Sequence, residues 1–322
     1  MAASDLTIAV GDIHGQLPKL LKLWSNLEKS LGPAFNTATV IFLGDYNDRG
    51  PQVGGVLDWL IFLDKRYPKQ KHVFLAGNHD FSFAAFLGVL PPPPAGFSYK
   101  STWEGLAARE PQRVEKEGWW DGEGVEEVHL QGRRWAGTPK NKTNAKRGMS
   151  YMGSIYDSAP TFKSYGVEHG DRKGLIAAVP EMHKEFLRNL LWVYEQPGPS
   201  TGEYTKIIAV HAGLEASTTA PIEKQIELLK ARDVRVERVE ALSGRDNVLQ
   251  NPKELAEAGV LLISGHHGWL DVRVNRMIID ECGGFEDKPL AAVVLPSRQV
   301  IRDTDVVAES QHPTSNVGNA QI

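Results

Sequence analysis

An α/β (α+β) fold is predicted by three observations. From Leu6 to Leu87, short apolar runs of strand length alternate with segments whose apolar residues recur at helical spacing. Each run stops at a glycine followed by Asp or Asn, and in alternating α/β chains functional groups gather at such strand ends. The 322 residues are 41% hydrophobic and 24% charged, a globular composition with enough chain to bury a large core.

In order, Leu6 to Val10 reads as a buried strand. Leu17, Leu20, Leu21, Trp24, Leu27 and Leu31 then mark a helix ended by Gly32-Pro33. Thr39 to Leu43 is the second strand. Val53, Val56, Leu57, Leu60 and Ile61 line a second helix, closed by Tyr67-Pro68. His72 to Ala76 is the third strand, and Phe81 to Leu87 begins a third helix. Pro91 to Pro94 stops the alternation as a stiff polyproline spacer. From about 91 to 204 the chain reads as an irregular, cap-like insertion with one helix, Pro180 to Gln196. Lys206 to Val210 and Val260 to Ser264 are further strands, separated by a helix around Ile222 to Leu229. Val272 to Ile279 reads as a strand, and Ala291 to Ile301 as a hairpin broken at Pro296-Ser297. The expected organisation is one catalytic domain over 1–307 and a polar, disordered tail over 308–322.

The charge sum is −4, which gives no general electrostatic reason to bind nucleic acid or an anionic membrane. The single cysteine, Cys282, excludes an intrachain disulfide and a cysteine metal cluster, and suggests a reducing compartment. No stretch is long and apolar enough for a membrane span, and Met1 to Val10 lacks the pattern of a secretory leader. A monomer in the cytoplasm or nucleus is expected.

Five strand ends carry the chemistry. They read Gly11-Asp12-Ile13-His14-Gly15, Gly44-Asp45-Tyr46-Asn47-Asp48-Arg49-Gly50, Gly77-Asn78-His79-Asp80, His211-Ala212-Gly213 and Gly265-His266-His267-Gly268. The glycines allow sharp turns and close backbone approach. The polar residues are oxygen and nitrogen donors without a thiolate, a set suited to Mn, Fe, Zn or Mg. Folding alone does not require costly polar groups repeatedly at one sheet edge.

This run of motifs resembles the PPP family of metallophosphatases over residues 6 to about 303. The resemblance implies a calcineurin-like fold, a central β-sandwich flanked by helices with two metal ions at one edge. LAGNHD in place of LRGNHE, the lack of an SAPNY segment after the last histidine, and the long insertion depart from the eukaryotic Ser/Thr enzymes. With HLQGRRWAG and GSIYD, these features resemble the bacterial-type branch found in plants, the Rhizobiales-like phosphatases, which favours phosphotyrosine.

By this resemblance Asp12, His14 and Asp45 hold one divalent ion, and Asp45 bridges to a second held by Asn78, His211 and His266. Mn is favoured, with Fe or Zn as alternatives. Arg49 and Arg245 grip the phosphoryl group, and His79, oriented by Asp48, protonates the leaving oxygen. In His266-His267 either imidazole could ligate; the family's Gly-His pattern favours His266 and leaves His267 behind it or facing substrate. Gly132 to Gly148 holds Arg133, Arg134, Lys140, Lys142, Lys146 and Arg147 without an acid, so Arg133 and Arg134 are candidate substrate contacts, against an ordinary solvated basic loop. The aromatic residues Trp119, Trp120, Trp135, Tyr151 and Tyr156 either flank a phenyl ring or pin the insertion to the core. The resulting expectation is a phosphoprotein phosphatase preferring phosphotyrosine. The alternatives are a Ser/Thr-specific phosphatase, a nucleotide hydrolase of the diadenosine tetraphosphatase type, and an inactive phosphoprotein-binding module.

Overall fold

A computed structural model describes residues 6–144, 148–200, 203–216 and 220–307. The 308–322 tail, Lys146 and Arg147 lie outside the described residues. Twelve strands follow in chain order: β1 (Thr7–Val10), β2 (Thr39–Phe42), β3 (Lys71–Phe74), β4 (Thr143–Asn144), β5 (Met149–Ser150), β6 (Tyr194–Pro197), β7 (Lys206–Ala209), β8 (Val260–Ser264), β9 (Leu270–Val272), β10 (Arg276–Ile279), β11 (Ala291–Leu295) and β12 (Gln299–Arg302). Apart from the small β4–β5 pair, they form two five-stranded sheets, ordered β12-β11-β1-β2-β3 and β6-β7-β8-β10-β9. In the first, β1, β2 and β3 run parallel in register, Thr7 opposite Thr39 and Thr39 opposite Lys71. In the second, β7, β8 and β10 are parallel and the edge strands β6 and β9 antiparallel.

Period-two alternation divides each strand between two cores. Ala9, Ile41, Leu43 and Val73 face Ile207, Ala209, Leu261, Ile263, Met277 and Ile279 in a core between the sheets. Ile8, Val10, Val40 and Phe42 turn outward to Leu20, Leu23, Trp24 and Leu27 of helix Leu17–Leu31 and to Val56 and Leu57 of helix Val53–Ile61. Ile208 and Leu262, on the other face of the second sheet, cluster with Ile222, Ile226 and Leu229 of helix Ile222–Ala231. The result is the expected sandwich flanked by helices. No helix among the described residues is long and apolar enough to cross a membrane.

Several local expectations need correction. Among the described residues, the insertion holds six short α-helices rather than one, Tyr99–Arg109, Pro111–Glu117, Leu130–Ala136, Ala159–Ser164, Arg172–Ala178 and Glu181–Asn189. These helices are short and separated by Gly and Pro, so helical periodicity has no room to declare itself. The run Pro180 to Gln196 is a helix only to Asn189. Leu191 N–H donates to Phe74 O (3.0 Å) and its carbonyl accepts from Ala76 N–H (2.7 Å), and the chain then becomes β6. Of the run Val272 to Ile279, Arg276–Ile279 is the strand β10, whereas residues 273–275 turn the chain back from β9, with Val272 opposite Met277. The third helix begins at Asn78 and ends at Leu87, so the Gly-Asn-His-Asp motif forms its first turn.

The insertion is packed tightly on that third helix. A Cβ at Gly132 would meet Phe86 N at 2.7 Å, and Trp135 stacks on Phe83 at 5.2 Å. Gly132→Ala is therefore expected to force the two helices apart and lower stability by about 1–3 kcal/mol, measured by denaturant unfolding. His129, buried before the Gly132 helix, accepts from Gln131 N–H at Nδ1 (3.0 Å) and donates from Nε2 to Val236 O (2.9 Å). Burial pushes its pKa down to about 4, so the folded state keeps it neutral while the unfolded chain protonates it near 6.5. Stability should fall by about 3 kcal/mol as pH drops from 6.5 to 4. His129→Asn, which keeps the capping acceptor, should flatten that part of the pH–stability curve.

Candidate metal centre

The parallel strands of the two sheets end on the same side of the molecule, so the polar motifs meet at one end of the sandwich rather than along one sheet. Two hydrogen bonds join the sheets there. His211, after β7, has Nδ1 2.7 Å from the carbonyl of Leu43, after β2. Asp12, after β1, accepts the backbone N–H of His266, after β8, at 3.2 Å.

Asp45 sits at the middle, 2% exposed. Its Oδ1 accepts His79 N–H at 2.9 Å, and its Oδ2 lies 3.3 Å from His211 Nε2, 3.6 Å from His14 Nε2 and 3.9 Å from His79 Nε2. The opposite ring nitrogens are engaged: His14 Nδ1 with Asn47 O (2.8 Å), His211 Nδ1 with Leu43 O, and His79 Nδ1 with Asp48 Oδ2 (2.6 Å). A carbonyl only accepts, so Nδ1 carries the proton in His14 and His211 and Nε2 turns toward Asp45. Burial, with Arg49 beside it, holds the His14 imidazole well below the usual histidine range. Burial raises the pKa of Asp45, but His211 and His79 outweigh it and hold the carboxyl well below its ordinary value. Burial opposes charge on His211 as well, yet Asp45 and Asp12 push it up to about 10. Asp12 is raised well above the carboxylate range by burial, then by Asp280.

Asn78 Oδ1, His211 Nε2 and His266 Nε2 are buried with no hydrogen-bond partner. Two groups, His14 with Asp45 and His79, and Asp45 with His211 and His266, bring one ligand atom each within 4.8 Å of one another. Asp45 belongs to both. Oxygen and imidazole donors aimed at a common point without protein partners fit divalent cations. Asp12 stands beside the first group, its Oδ2 4.0 Å from His14 Nε2. The two adjacent histidines are distinguished here: His267 Nε2 is engaged with Ala212 O at 2.7 Å, whereas His266 Nε2 is free to ligate.

The backbone is bent to make this arrangement. His14, Asp45, Asp48, Arg49 and His266 all have left-handed φ, between 47° and 70°. Glycine is required for space as well: a Cβ at Gly77 would overlap Asp45 Oδ1, and one at Gly265 would overlap Asp12 Oδ1.

The family model described as calcineurin-like phosphoesterase matches residues 6–300. The chain belongs to that family. Among curated relatives, the serine/threonine-protein phosphatase PP2A-like PPG1 of Saccharomyces cerevisiae is 38% identical over 71 residues, 22% of this chain and 18% of the relative. The PPG1 protein of Candida albicans is 40% identical over 72 residues, 22% of this chain and 16% of its own. The chain spans between 15% and 30% of the length of the curated relatives it matches. A solved cold-active protein-tyrosine phosphatase of a psychrophilic Shewanella aligns over 92% of this chain and 77% of its own, at 15% identity and TM-score 0.43.

In this calcineurin-like phosphoesterase the centre opens into a cleft of about 680 Å³ lined by Arg49, Asn78, His79, Arg245, His266 and His267. Arg49 Nη1 donates to His14 Nε2 at 2.7 Å, so the guanidinium and a cation compete for one lone pair. Arg245 enters from the other side, donating from Nη1 to His266 O at 2.8 Å. The structure separates the two insertion arginines. Arg134 lines the cleft but is forked onto Glu117 at 2.7 and 2.8 Å. Arg133 is turned away, 3.7 Å over the Trp103 ring with Nε donating to Trp120 O, because the helix puts adjacent residues on different faces. Trp135 is fully buried, while Tyr156 reaches the cleft wall.

Three contributors escaped sequence reasoning. Asp80 accepts backbone N–H groups of Asp45, Tyr46 and Gly77 at 2.6–2.8 Å, and burial together with Asp45 lifts it to about 7. Asp280 accepts from Gly268 and Cys282 N–H at 2.6 and 2.8 Å and lines the cleft. Trp269 stands 44% exposed at its rim. Asp80 stands inside a recognised motif without a role assigned to it and Trp269 directly follows another, so a signal was available; Asp280 follows a strand with no glycine beside it. The geometry predicts that His266→Ala loses about one bound cation per chain after manganese reconstitution, while His267→Ala retains both, read by elemental analysis of gel-filtered protein.

Proposed function

We propose that this protein is a two-metal phosphomonoesterase acting on phosphoproteins, with phosphotyrosine preferred. What carries the reading is one observation: His211 and His266 bring buried ligand atoms within 4.8 Å of Asp45, the cleft also holds the partnerless Asn78 Oδ1, and two arginines and a histidine border it. Asp12, His14 and Asp45 would hold one cation, and Asp45, Asn78, His211 and His266 the other. The mixed oxygen and imidazole donors suit manganese, iron or zinc, and manganese is our choice on the resemblance of the motifs rather than on donor type. Such ions supply the Lewis acidity that activates water at neutral pH and offsets phosphoryl charge. Arg49 and Arg245 would orient the phosphoryl oxygens from opposite sides. His79, with Nδ1 on Asp48 and Nε2 toward the cleft, would protonate the leaving oxygen. We place this chemistry in one catalytic unit over 1–307 that includes the insertion.

The preference for phosphotyrosine rests on the cleft walls and on the branch that the motifs resemble. Tyr156 meets the His79 ring edge-on at 5.0 Å, Phe285 lies beneath Arg49 at 5.1 Å, and Trp269 stands at the rim. These surfaces suit a phenyl ring. The test is a rate comparison, with manganese, of phosphotyrosine and phosphothreonine forms of one peptide and a dinucleoside tetraphosphate. Phosphotyrosine should turn over at least ~10-fold faster than phosphothreonine, since a phenolate of pKa near 10 leaves more readily than an alkoxide. Preferred turnover of the dinucleotide would overturn the phosphoprotein reading, and equal rates on both peptides the tyrosine preference.

A further inference from the structure

We infer that two residues of the insertion, Trp135 and Thr161, are positioning residues for the reaction. They hold the Asp48 carboxylate, and through it His79, in the orientation that presents Nε2 to the leaving oxygen. The inference rests on the proton-donor reading of His79 given above.

The Asp48 carboxylate is fully buried and has three side-chain donors around it. Oδ2 accepts from His79 Nδ1 (2.6 Å) and from Trp135 Nε1 (2.8 Å), and Oδ1 accepts from Thr161 Oγ1 (2.5 Å). Thr161 Oγ1 in turn accepts Asp48 N–H at 2.9 Å, so its own proton is committed to Oδ1. Side chain and backbone of Asp48 are thus held by one hydroxyl, at a residue whose φ is 69°. A carboxylate turns easily about its last torsion, and the histidine hydrogen bond alone would leave that rotation open. Donors on both oxygens close it.

The two donors are themselves held in place, Thr161 by the helix Ala159–Ser164, where its N–H donates to Ser158 O at 2.9 Å. Trp135 is sandwiched between Phe83 (5.2 Å, 28° between rings) and Phe162 (5.1 Å, 22°), and Ser158 Oγ donates to its carbonyl at 2.7 Å. The indole N–H therefore has one direction available, toward Asp48. Phe83 lies on the helix that begins with Asn78 and His79, so one packed layer sets both the imidazole and the donor that orients its partner. A purely structural role, satisfying a buried acceptor, would affect folding and all substrates alike. A positioning role makes the loss grow as the leaving group needs more help from the acid.

The experiment measures kcat of the manganese-supplied protein on nitrophenyl, phenyl and alkyl phosphates, in order of rising leaving-group pKa. Thr161→Val removes one donor with little change of shape, and Trp135→Phe removes the other while keeping an aromatic ring between Phe83 and Phe162. Each should lose roughly tenfold more on the alkyl ester than on the nitrophenyl ester. Thr161→Ser, which keeps the hydroxyl, should restore the shallow dependence. In metal-free protein the Nδ1 proton of His79 should resonate downfield, shift in Thr161→Val and return in Thr161→Ser. Equal losses on all three esters, or none, with an unmoved resonance would overturn the inference. His79→Asn is measured alongside. If it shows no leaving-group dependence, the proton-donor reading fails and takes the inference with it. If it steepens while Thr161→Val and Trp135→Phe do not, the inference alone fails. Should Thr161→Val not fold, Trp135→Phe, which preserves the aromatic stack, reads the same slope.

Discussion

A carboxylate buried to the extent of Asp45 needs compensating positive charge, and among the described residues no lysine or arginine makes an ion pair with it. Imidazoles of His14, His79 and His211 stand around it instead, each with its other nitrogen engaged elsewhere. Imidazole is a poor permanent counter-ion, since burial drives it toward the neutral form, as it does for His14 and His266. It is a good metal ligand for the same reason. Only His211 is pushed the other way, by Asp45 and Asp12 against the opposing effect of burial. A proton on that ring occupies the position a cation would take, and His266 brings a further ligand atom within 4.8 Å of the same pair. The two sheets are joined by hydrogen bonds involving these very side chains, so the centre and the sandwich are one construction.

Among the described residues, the insertion carries few free charges into the cleft despite its basic sequence. Arg134 is forked onto Glu117, which Arg113 also contacts, Lys140 reaches Glu115, and Arg133 lies over Trp103. Acids absent from the stretch Gly132 to Gly148 are supplied by the preceding helix Pro111–Glu117. The same segment delivers Trp135 and Thr161 to Asp48, across 87 and 113 residues of chain. Its contribution near the reacting atoms is thus polar and orienting, with charge left chiefly to Arg49 and Arg245. Aromatic residues serve both purposes that the sequence left open: Trp135 and Trp120 pin the segment to Phe86, while Tyr156 faces the cleft.

Most of the sandwich was legible because its strands are buried on both faces and written as near-continuous apolar runs, as in Thr39–Phe42 and Val260–Ser264. The motif residues were legible because glycine marks where backbone must approach or turn, and Gly77 and Gly265 do so beside Asp45 and Asp12. What could not be read were facts settled in three dimensions. Leu191 leaves its helix because Phe74 and Ala76 offer better hydrogen bonds, and Arg133 differs from Arg134 only by one step around a helix. Choosing His266 over His267 required knowing that Ala212 O already occupies one of them. Asp280 had no local signature, as its role depends on receiving Gly268 and Cys282 N–H groups.

The energetics favour a centre that the rest of the protein holds in place. Each left-handed non-glycine residue costs roughly 1–2 kcal/mol, and five of them are gathered at the site. Added together they are comparable with the ~5–15 kcal/mol net stability of a whole domain. Buried polar atoms without partners add to that burden. Two packed cores and the Trp135 layer must therefore offset the strain of a loop set whose own hydrogen bonds between the sheets return only part of it. Cation binding would return part of it, about 4 kcal/mol for a site at a thousandfold excess over its dissociation constant. Strain of this kind is useful only where a fixed geometry matters more than local comfort. Here it bends the chain after β1, β2 and β8, the strand ends that carry His14, Asp45 and His266.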